Sequence, residues 1–236
     1  KKSQIFVAIC KHGPAGVKLS SSFADRKNDQ VKQDLGSLVV RVAEQVPDGL
    51  LVFFPSYSVM SETVNYWQRP TKPNTQSLME KLRSVKHVVF EPKDRREMQS
   101  EMQRYYDLLE DKTKRGAVFF SICRGKVSEG LDFADKKGRA VIIAGLPYPP
   151  FKDPKVVLKR QYMDEQRRRD PHFLSGNDWY NQQASRAVNQ AIGRVIRHVK
   201  DFGAIILADQ RFADARVHSL LSKWLRPAMT SYDVCS

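Results

Sequence analysis

The sequence has few cysteines and no apolar run near the length of about 18 residues that a membrane span requires. Its three cysteines, Cys10, Cys123 and Cys235, lie far apart with no C-x-x-C spacing. This spacing excludes a zinc or iron–sulfur site built by these residues alone and is typical of a reducing compartment. The five histidines also lack metal-ligand spacing, so we expect no metal site in this chain. Of these histidines, we place only His198 beside a functional surface, the arginine face described below.

The sequence also lacks any G-x-x-x-x-G-K-[ST] segment, the loop whose backbone amides cradle a triphosphate. Without that loop, the chain has no nucleotide site of its own of the P-loop type. It also shows no convincing pairing of a nucleophile with a general base. The sequence therefore does not predict an enzyme that works alone.

Basic residues, in contrast, are abundant. Lys and Arg number 40 against 26 Asp and Glu, which gives a formal net charge of +14. An excess of this size predicts an acidic partner, and nucleic acid is the first candidate. A membrane surface is second, but the sequence has no basic amphipathic anchor.

Predicted strands and helices alternate along the chain without internal repeats. The predicted strands are 5–9, 50–54, 87–90, 117–122, 140–144 and 203–208. We expect 203–208 to be the last strand. The predicted helices are 28–46, 57–67, 77–84, 97–111, 155–169, 183–198 and 215–224. Alternation of this kind predicts a parallel sheet with helices on both faces, whose ligands bind where the strands end. We treat residues 1–236 as one domain, and its start at Lys1 rather than Met leads us to expect a fragment of a longer protein.

The most informative stretch runs from Gln183 to His198. On a helix of about 100° per residue, one side carries Arg186, Gln190, Arg194 and Arg197, and the other carries Ala184, Val188, Ala191, Ile192 and Val195. Three guanidiniums on one face repel each other unless an anion lies between them, so this arginine face predicts a phosphate site. Gly193 lies among them, where we expect the absence of a side chain to let a ligand approach closely. A solvated basic face is the alternative.

A second charged segment follows the predicted strand 117–122. Arg124 and Lys126 flank a glycine, so backbone amides and two cations can face one anion. Glu129 and Asp132 add carboxylates that can accept hydrogen bonds from a ribose or orient an arginine. An ordinary turn with its charges in solvent is the alternative.

Two further pairs combine an aromatic ring with polar groups. Ser56 and Tyr57 follow a buried strand, where a hydroxyl and a ring can hold a nucleic-acid backbone and stack on a base. Helix capping by Ser56 is an equally good explanation. Trp179 and Tyr180 could stack on bases, although packing at the start of the central helix is favoured.

Together, these segments resemble a known family. Residues 190–197, Q-A-I-G-R-V-I-R, resemble motif VI of superfamily 2 helicases, Q-x-x-G-R-x-x-R. Residues 124–133 resemble motif V of the iron–sulfur branch of the xeroderma pigmentosum group D type, and residues 50–57 are similar to its motif IV. Residues 145–150, 179–180 and 209–212 also resemble family segments, and all occur in the family's order. The resemblance covers essentially the whole chain.

The resemblance implies a RecA-like α/β fold, P-loop NTPase-like but without the P-loop, as the second motor domain of a 5′-to-3′ DNA helicase. It gives Arg197 the role of arginine finger, makes Arg194 a further γ-phosphate contact and has Gln190 position them. It assigns coupling of nucleotide to DNA to Glu129, Gly130, Asp132 and Gly193. It assigns contacts with the DNA strand to Ser56, Tyr57, Arg124, Lys126, Ser128 and Arg186.

It further implies ATP and Mg²⁺ shared with a first motor domain, which carries the P-loop and a [4Fe–4S] cluster. The expected partners are single-stranded DNA, DNA junctions or unusual DNA structures, and that first motor domain, with no membrane. Nuclear residence and roles in telomere maintenance, repair and recombination rest on the resemblance alone. We expect the isolated domain to be inactive as an ATPase. The alternative is a non-catalytic basic module that binds nucleic acid or docks a partner.

Overall fold

The computed structural model describes residues 4–125, 133–194, 198 and 201–235. Six of the predicted site residues lie outside the described residues: Lys126, Ser128, Glu129, Gly130, Asp132 and Arg197. Within the described residues, the strands are β1 (Ile5–His12), β2 (Leu50–Phe54), β3 (His87–Phe90), β4 (Ala117–Ile122), β5 (Ala140–Ile143), β6 (Gly203–Leu207) and β7 (Met229–Val234). The α-helices are α1 (Asp29–Gln45), α2 (Tyr57–Trp67), α3 (Leu78–Val85), α4 (Met98–Glu110), α5 (Pro154–Arg169), α6 (Gly176–Ile192) and α7 (Ala215–Leu220).

The described strands form one seven-stranded sheet in the order β3-β4-β2-β5-β6-β1-β7. Every pairing in it is parallel. The strands therefore all end on the same side, which we call the carboxyl edge, and all begin on the opposite side, the amino edge. This confirms the predicted α/β fold with a parallel sheet.

Helices cover both faces of the sheet, because side chains alternate along each strand. Leu51 and Phe53 of β2 pack on one face in a core shared with α4, α6 and α7. Val52 and Phe54 of the same strand pack on the other face in a core shared with α1, α2 and α3. β2 is buried along its whole length, as its unbroken apolar sequence predicts.

Side-chain caps fix where several helices begin. Asn28 accepts from the backbone amide of Gln30 at the start of α1, and Ser175 accepts from that of Asp178 at the start of α6. Ser77 and Glu80 form a capping box at the start of α3. The predicted starts of α1 and α3 agree with these caps to within one residue, whereas α6 begins at Gly176, before the predicted start at Gln183.

Three sequence predictions about elements are wrong. A further strand, β7, follows 203–207 and pairs with β1. Its segment Met-Thr-Ser-Tyr-Asp-Val is half-exposed to exposed, so it lacks the apolar pattern that identified the other strands. The last helix ends at Leu220 rather than near Trp224. The helix predicted to run to His198 ends at Ile192.

The cysteine prediction is also corrected. Cys10 in β1 and Cys235 after β7 form a disulfide with a Cα–Cα distance of 5.7 Å, although 225 positions separate them. Distance along the chain did not indicate distance in space, because β7 returns to lie beside β1. Cys123 is buried and takes no part in this disulfide. The argument from cysteine spacing to a reducing compartment therefore loses its basis.

Among the described residues, no helix is both long enough and apolar enough to cross a membrane.

A buried lysine makes fold stability depend on pH. Lys86, at the end of α3, is 0% exposed and donates to the backbone oxygens of Asp48 at 2.8 Å and Arg115 at 2.6 Å. Burial lowers the pKa of Lys86 from 10.5 to about 8. Between these two values the unfolded chain binds more protons than the folded one, so folding gains stability as pH rises.

We expect the free energy of unfolding of the wild type to rise by roughly 3 kcal/mol between pH 7.5 and 10.5, relative to Lys86→Met. Urea denaturation of both proteins at the two pH values measures this difference. The substitution removes the titrating group while keeping a long side chain in the same place. Parallel pH profiles for the two proteins would contradict the assignment.

Candidate functional site

Helix α6 has the two-sided character that its sequence predicts. Ala184, Val188, Ala191 and Ile192 are buried against the sheet, each at most 1% exposed. Arg186 and Gln190 are exposed on the opposite side. Within the described residues, Arg186 forms no ion pair with a carboxylate, so this part of the arginine face is open to an anion.

Gly193 caps the carboxyl end of α6 rather than continuing it. Its backbone N–H donates to the carbonyl oxygen of Asn189 at 3.0 Å, and Arg194 follows in a turn. A Cβ added at Gly193 would lie 3.2 Å from the Asn189 oxygen and meet no other part of the described chain closely. Glycine has low helix propensity, which explains the end of the helix at this point. The close approach of a ligand here stays a prediction.

Among the described residues, His198 contacts a carboxylate, and its predicted support of Arg197 lies outside the described residues. Its Nε2 lies 3.0 Å from Oδ1 of Asp135. One side-chain nitrogen of His198 and one carboxylate oxygen each of Asp135 and Asp201 all lie within 4.8 Å of one another. The Asp201 carboxylate is already paired with the Arg139 guanidinium at 2.8 Å. Because these residues precede β5 and β6, the group belongs to the amino edge.

At the carboxyl edge, Ser56 and Tyr57 begin α2. The Ser56 hydroxyl accepts from the backbone N–H of Val59 at 3.4 Å, so the capping alternative is confirmed. The Tyr57 hydroxyl donates to the backbone oxygen of Pro92 at 3.3 Å. Burial, together with the charge of Glu91, raises the pKa of Tyr57 to about 12. Tyr57 therefore stays neutral and does not repel an anion at this edge.

A buried carboxylate that the sequence analysis missed supports the segment after β4. Glu91, immediately after β3, is 3% exposed. Its Oε2 accepts from the Ser121 hydroxyl at 2.5 Å and from the backbone N–H of Ile122 at 3.0 Å. A Cβ at Gly125 would lie 2.4 Å from Oε1 of Glu91. A larger residue between Arg124 and Lys126 would clash with the Glu91 carboxylate, which explains the glycine at this position. The available signal was an acidic residue that follows an apolar strand directly.

Arg124 joins the loop that follows β4 to the loop that follows β5. Its side chain is exposed, and its Nε donates to the backbone oxygen of Pro147 at 3.1 Å. Pro147 follows β5, whereas Arg124 follows β4. This places a cation at the carboxyl edge, where the sequence predicts an anion contact.

A second buried carboxylate fixes the loops after β1 and β6. Asp209 is 0% exposed, and its Oδ2 accepts from the backbone N–H of Ser21 at 2.8 Å and from Nη2 of Arg211 at 2.6 Å. The same arginine donates to the Ser21 hydroxyl at 2.7 Å. A Cβ at Gly145, whose φ is +116°, would lie 2.0 Å from the Ser21 hydroxyl, so the loop after β5 packs here too. The segment 209–212 is assigned by resemblance alone, and no local sequence pattern predicts its pairing with Ser21.

Aromatic rings occupy the loop between β5 and α5. Tyr148 stacks on Tyr180 with ring centroids 4.9 Å apart and an interplanar angle of 16°. The Tyr180 hydroxyl donates to the backbone oxygen of Pro149 at 2.7 Å. Packing, rather than availability for a base, therefore explains Tyr180, and the neighbouring Trp179 is half-buried at the start of α6.

The described structure thus brings Ser56, Tyr57 and Arg124 to one edge of the sheet. It places Arg186 and Gln190 on the exposed side of α6, with Gly193 and Arg194 at its end. With the net charge of +14, the chemistry available is the binding of anionic groups. We find no pairing of a nucleophile with a general base among the residues just described.

Comparison with known families gives a match over most of the chain. The family described as "Helicase C-terminal domain" matches residues 39–228. The "Regulator of telomere elongation helicase 1 homolog" of Drosophila sechellia is 48% identical over 235 residues, covering 100% of this chain and 24% of that protein. Its namesake in Drosophila grimshawi is 49% identical over 225 residues, covering 95% of this chain and 22% of that protein. The chain therefore spans about a quarter of the length of these relatives.

Two solved structures share the fold. An XPD helicase matches with a TM-score of 0.62 and 20% identity, covering 98% of this chain and 35% of that one. Xpd4 from S. tokodaii matches with a TM-score of 0.61 and 17% identity, covering 97% of this chain and 38% of that one. Residues 146–150 together with 179–198 resemble the telomere-elongation type more than the Fanconi anaemia group J type, and the relatives agree with the former.

The carboxylate of Asp209 should be essential for stability. Asp209→Asn leaves the partly buried Arg211 guanidinium without its counter-charge, and removing one partner of a buried pair costs about 3–5 kcal/mol. Urea denaturation measures the loss in the free energy of unfolding. Asp233→Asn is the matched control, because Asp233 pairs with Lys11 at 2.8 Å but is 83% exposed, and it should change stability little. Equal effects of both substitutions would contradict the role given to Asp209.

Proposed function

We propose that this chain, which belongs to the helicase C-terminal domain family, is the C-terminal motor domain of a xeroderma pigmentosum group D type helicase. In that role it completes the ATP site and part of the DNA track of a 5′-to-3′ DNA helicase. The observation that carries the proposal is the family match over residues 39–228, which spans both the carboxyl edge and α6. The chain covers about a quarter of its relatives, so the activity belongs to the longer protein.

For the nucleotide, we assign Arg197 as the arginine finger, Arg194 as a further γ-phosphate contact and Gln190 as the residue that positions them. ATP with Mg²⁺ supplies the phosphoryl group whose transfer to water drives the motor. The exposed position of Gln190 on α6 supports this assignment. The absence of a P-loop in the sequence fits a domain that supplies cations to a site whose phosphate cradle lies on the first motor domain.

For DNA, we assign strand contacts to Ser56, Tyr57, Arg124, Lys126, Ser128 and Arg186. The positions of the first three on the carboxyl edge support this assignment. Glu129, Gly130, Asp132 and Gly193 would couple the two sites, because they lie next to the DNA contacts or the arginines in the sequence. Closing and opening of the cleft between the two motor domains would move these contacts along the strand.

The remaining parts of the proposal rest on the relatives. A [4Fe–4S] cluster would lie in the first motor domain, which is also the expected protein partner. The name of these relatives leads us to propose nuclear residence and a role in telomere maintenance. The family resemblance of the sequence motifs extends the proposal to DNA repair and recombination. Single-stranded DNA, junctions or unusual DNA structures are the proposed substrates.

A non-catalytic basic module is the second candidate, which the net charge of +14 favours. Such a module would bind DNA with strong salt dependence but would not require Arg197. The two candidates therefore predict different effects of a single substitution, Arg197→Ala.

Arg197→Ala in the full-length protein should lower DNA-stimulated ATP hydrolysis by about 10³-fold or more, because an arginine finger stabilises charge in phosphoryl transfer. Affinity for single-stranded DNA without nucleotide should stay unchanged. Steady-state hydrolysis and equilibrium binding measure the two quantities. An active protein whose turnover is insensitive to this substitution would support the binding module instead.

The domain alone should hydrolyse ATP at no more than background rate, since the sequence has no P-loop. Addition of the separately purified first motor domain, with single-stranded DNA, should restore turnover. Turnover by the domain alone at the rate of the full-length protein would refute the division of the ATP site.

A further inference from the structure

Beside the proposed DNA contacts lies a surface that the sequence analysis did not assign. The loop after β5 and the start of α5 carry Phe151, which is 57% exposed. Its ring meets Tyr180 edge-on with centroids 5.6 Å apart, and Tyr180 stacks in turn on Tyr148. The three rings form a supported platform whose outermost ring faces solvent.

Arg160 completes this platform. Its guanidinium carbon lies 4.3 Å from the centroid of Phe151 and 5.4 Å from that of Tyr180. Its Nε is buried and has no hydrogen-bond partner among the described residues. Arg160 stacks against two rings and forms no ion pair with a carboxylate in the described ranges. A cation held in this way is suited to an anion from outside the chain.

The platform is continuous with the carboxyl edge. The Tyr180 hydroxyl donates to the backbone oxygen of Pro149, so this ring lies against the same loop that carries Phe151. Arg124 is also held by the oxygen of Pro147, one residue before Tyr148. A strand that contacts Arg124 therefore has Phe151 and Arg160 within its reach.

The exposed side of α5 extends the surface with further cations. Lys155 and Lys159 are exposed one helical turn apart, and the Lys159 ammonium lies 5.0 Å from the ring centroid of Tyr162, which is 48% exposed. Two nearby carboxylates are already engaged. Asp153 caps α5, and Asp164 accepts from the backbone N–H of Gly176 at 2.7 Å. Glu165 stays exposed, so the face is basic but not purely so.

We propose that Phe151, Arg160, Lys155 and Lys159 form an additional binding site for single-stranded DNA, in which an unpaired base stacks on Phe151 and the flanking phosphates contact the cations. Exposed rings beside a basic track are how proteins hold unpaired strands, because every base offers a face for stacking. A duplex would offer phosphates but no free base face. The site rests on the proposed function, because it continues the DNA track through Arg124.

The test uses the full-length protein and a fluorescent 20-nucleotide oligothymidine, with binding measured by anisotropy in the absence of nucleotide. Phe151→Ala should weaken binding by about 5- to 100-fold, whereas Phe151→Trp should retain it. Phe202→Ala is the matched control. Phe202 is 50% exposed and lies 4.0 Å under the Arg139 guanidinium, but it belongs to the amino edge, so binding should not change.

The cations are tested by salt dependence. Lys155→Ala combined with Lys159→Ala should reduce the slope of log affinity against log salt by about 1.4, since each phosphate contact on a single strand contributes about 0.7. Lys81→Ala with Lys112→Ala removes the same charge from exposed positions elsewhere and should leave the slope unchanged.

Two results would overturn the site: unchanged oligothymidine binding by Phe151→Ala, or an equal loss for a 20-base-pair duplex, which would mean that no base stacks there. Failure of the proposed function is seen separately. An ATPase insensitive to Arg197→Ala would refute the ATP role but leave the nucleotide-free binding result standing.

Discussion

The common direction of the seven strands is the constraint on which the rest depends. Because every pairing is parallel, each strand ends at the carboxyl edge, and residues far apart in the sequence are brought together there. The loops at this edge are not paired by strands, so other contacts must hold them in place relative to one another. It does so with two buried carboxylates, Glu91 and Asp209, which accept hydrogen bonds from the backbone and side chains of neighbouring loops. The cations of the edge are carried by the loops that these groups fix.

The arrangement separates two tasks. Arg124 and the platform around Phe151 gather cations and rings at the carboxyl edge, which suits a flexible polyanion. Arg194 follows directly after the end of α6, a helix whose other side is anchored in the core by Val188 and Ile192. A helix held in the core in this way suits a group that must be positioned accurately relative to a second domain. Movement of one domain against another would then shift both sets together.

The sequence predicted most of the fold because its elements carry strong local signals. β2 is an unbroken apolar run, and α6 carries a clear apolar stripe. β7 was missed because its exposed, polar sequence has no such pattern. The disulfide of Cys10 and the burial of Lys86 depend on which segments meet in space, and local pattern carries no information about that. Gly193 was read as part of a helix, although the same residue type also ends helices.

Motif order assigns the candidate site residues from the sequence, whereas tertiary contacts such as that of Asp209 with Ser21 leave no local pattern from which to predict them. The central claim is that this domain supplies an arginine to a nucleotide held by another. A structure of the full-length protein with DNA and ADP–aluminium fluoride, a mimic of the transferred phosphoryl group, tests it most directly. The account predicts the Arg197 guanidinium within about 3 Å of the fluoride. An Arg197 side chain directed away from the nucleotide, with no other arginine of this domain in its place, would contradict it.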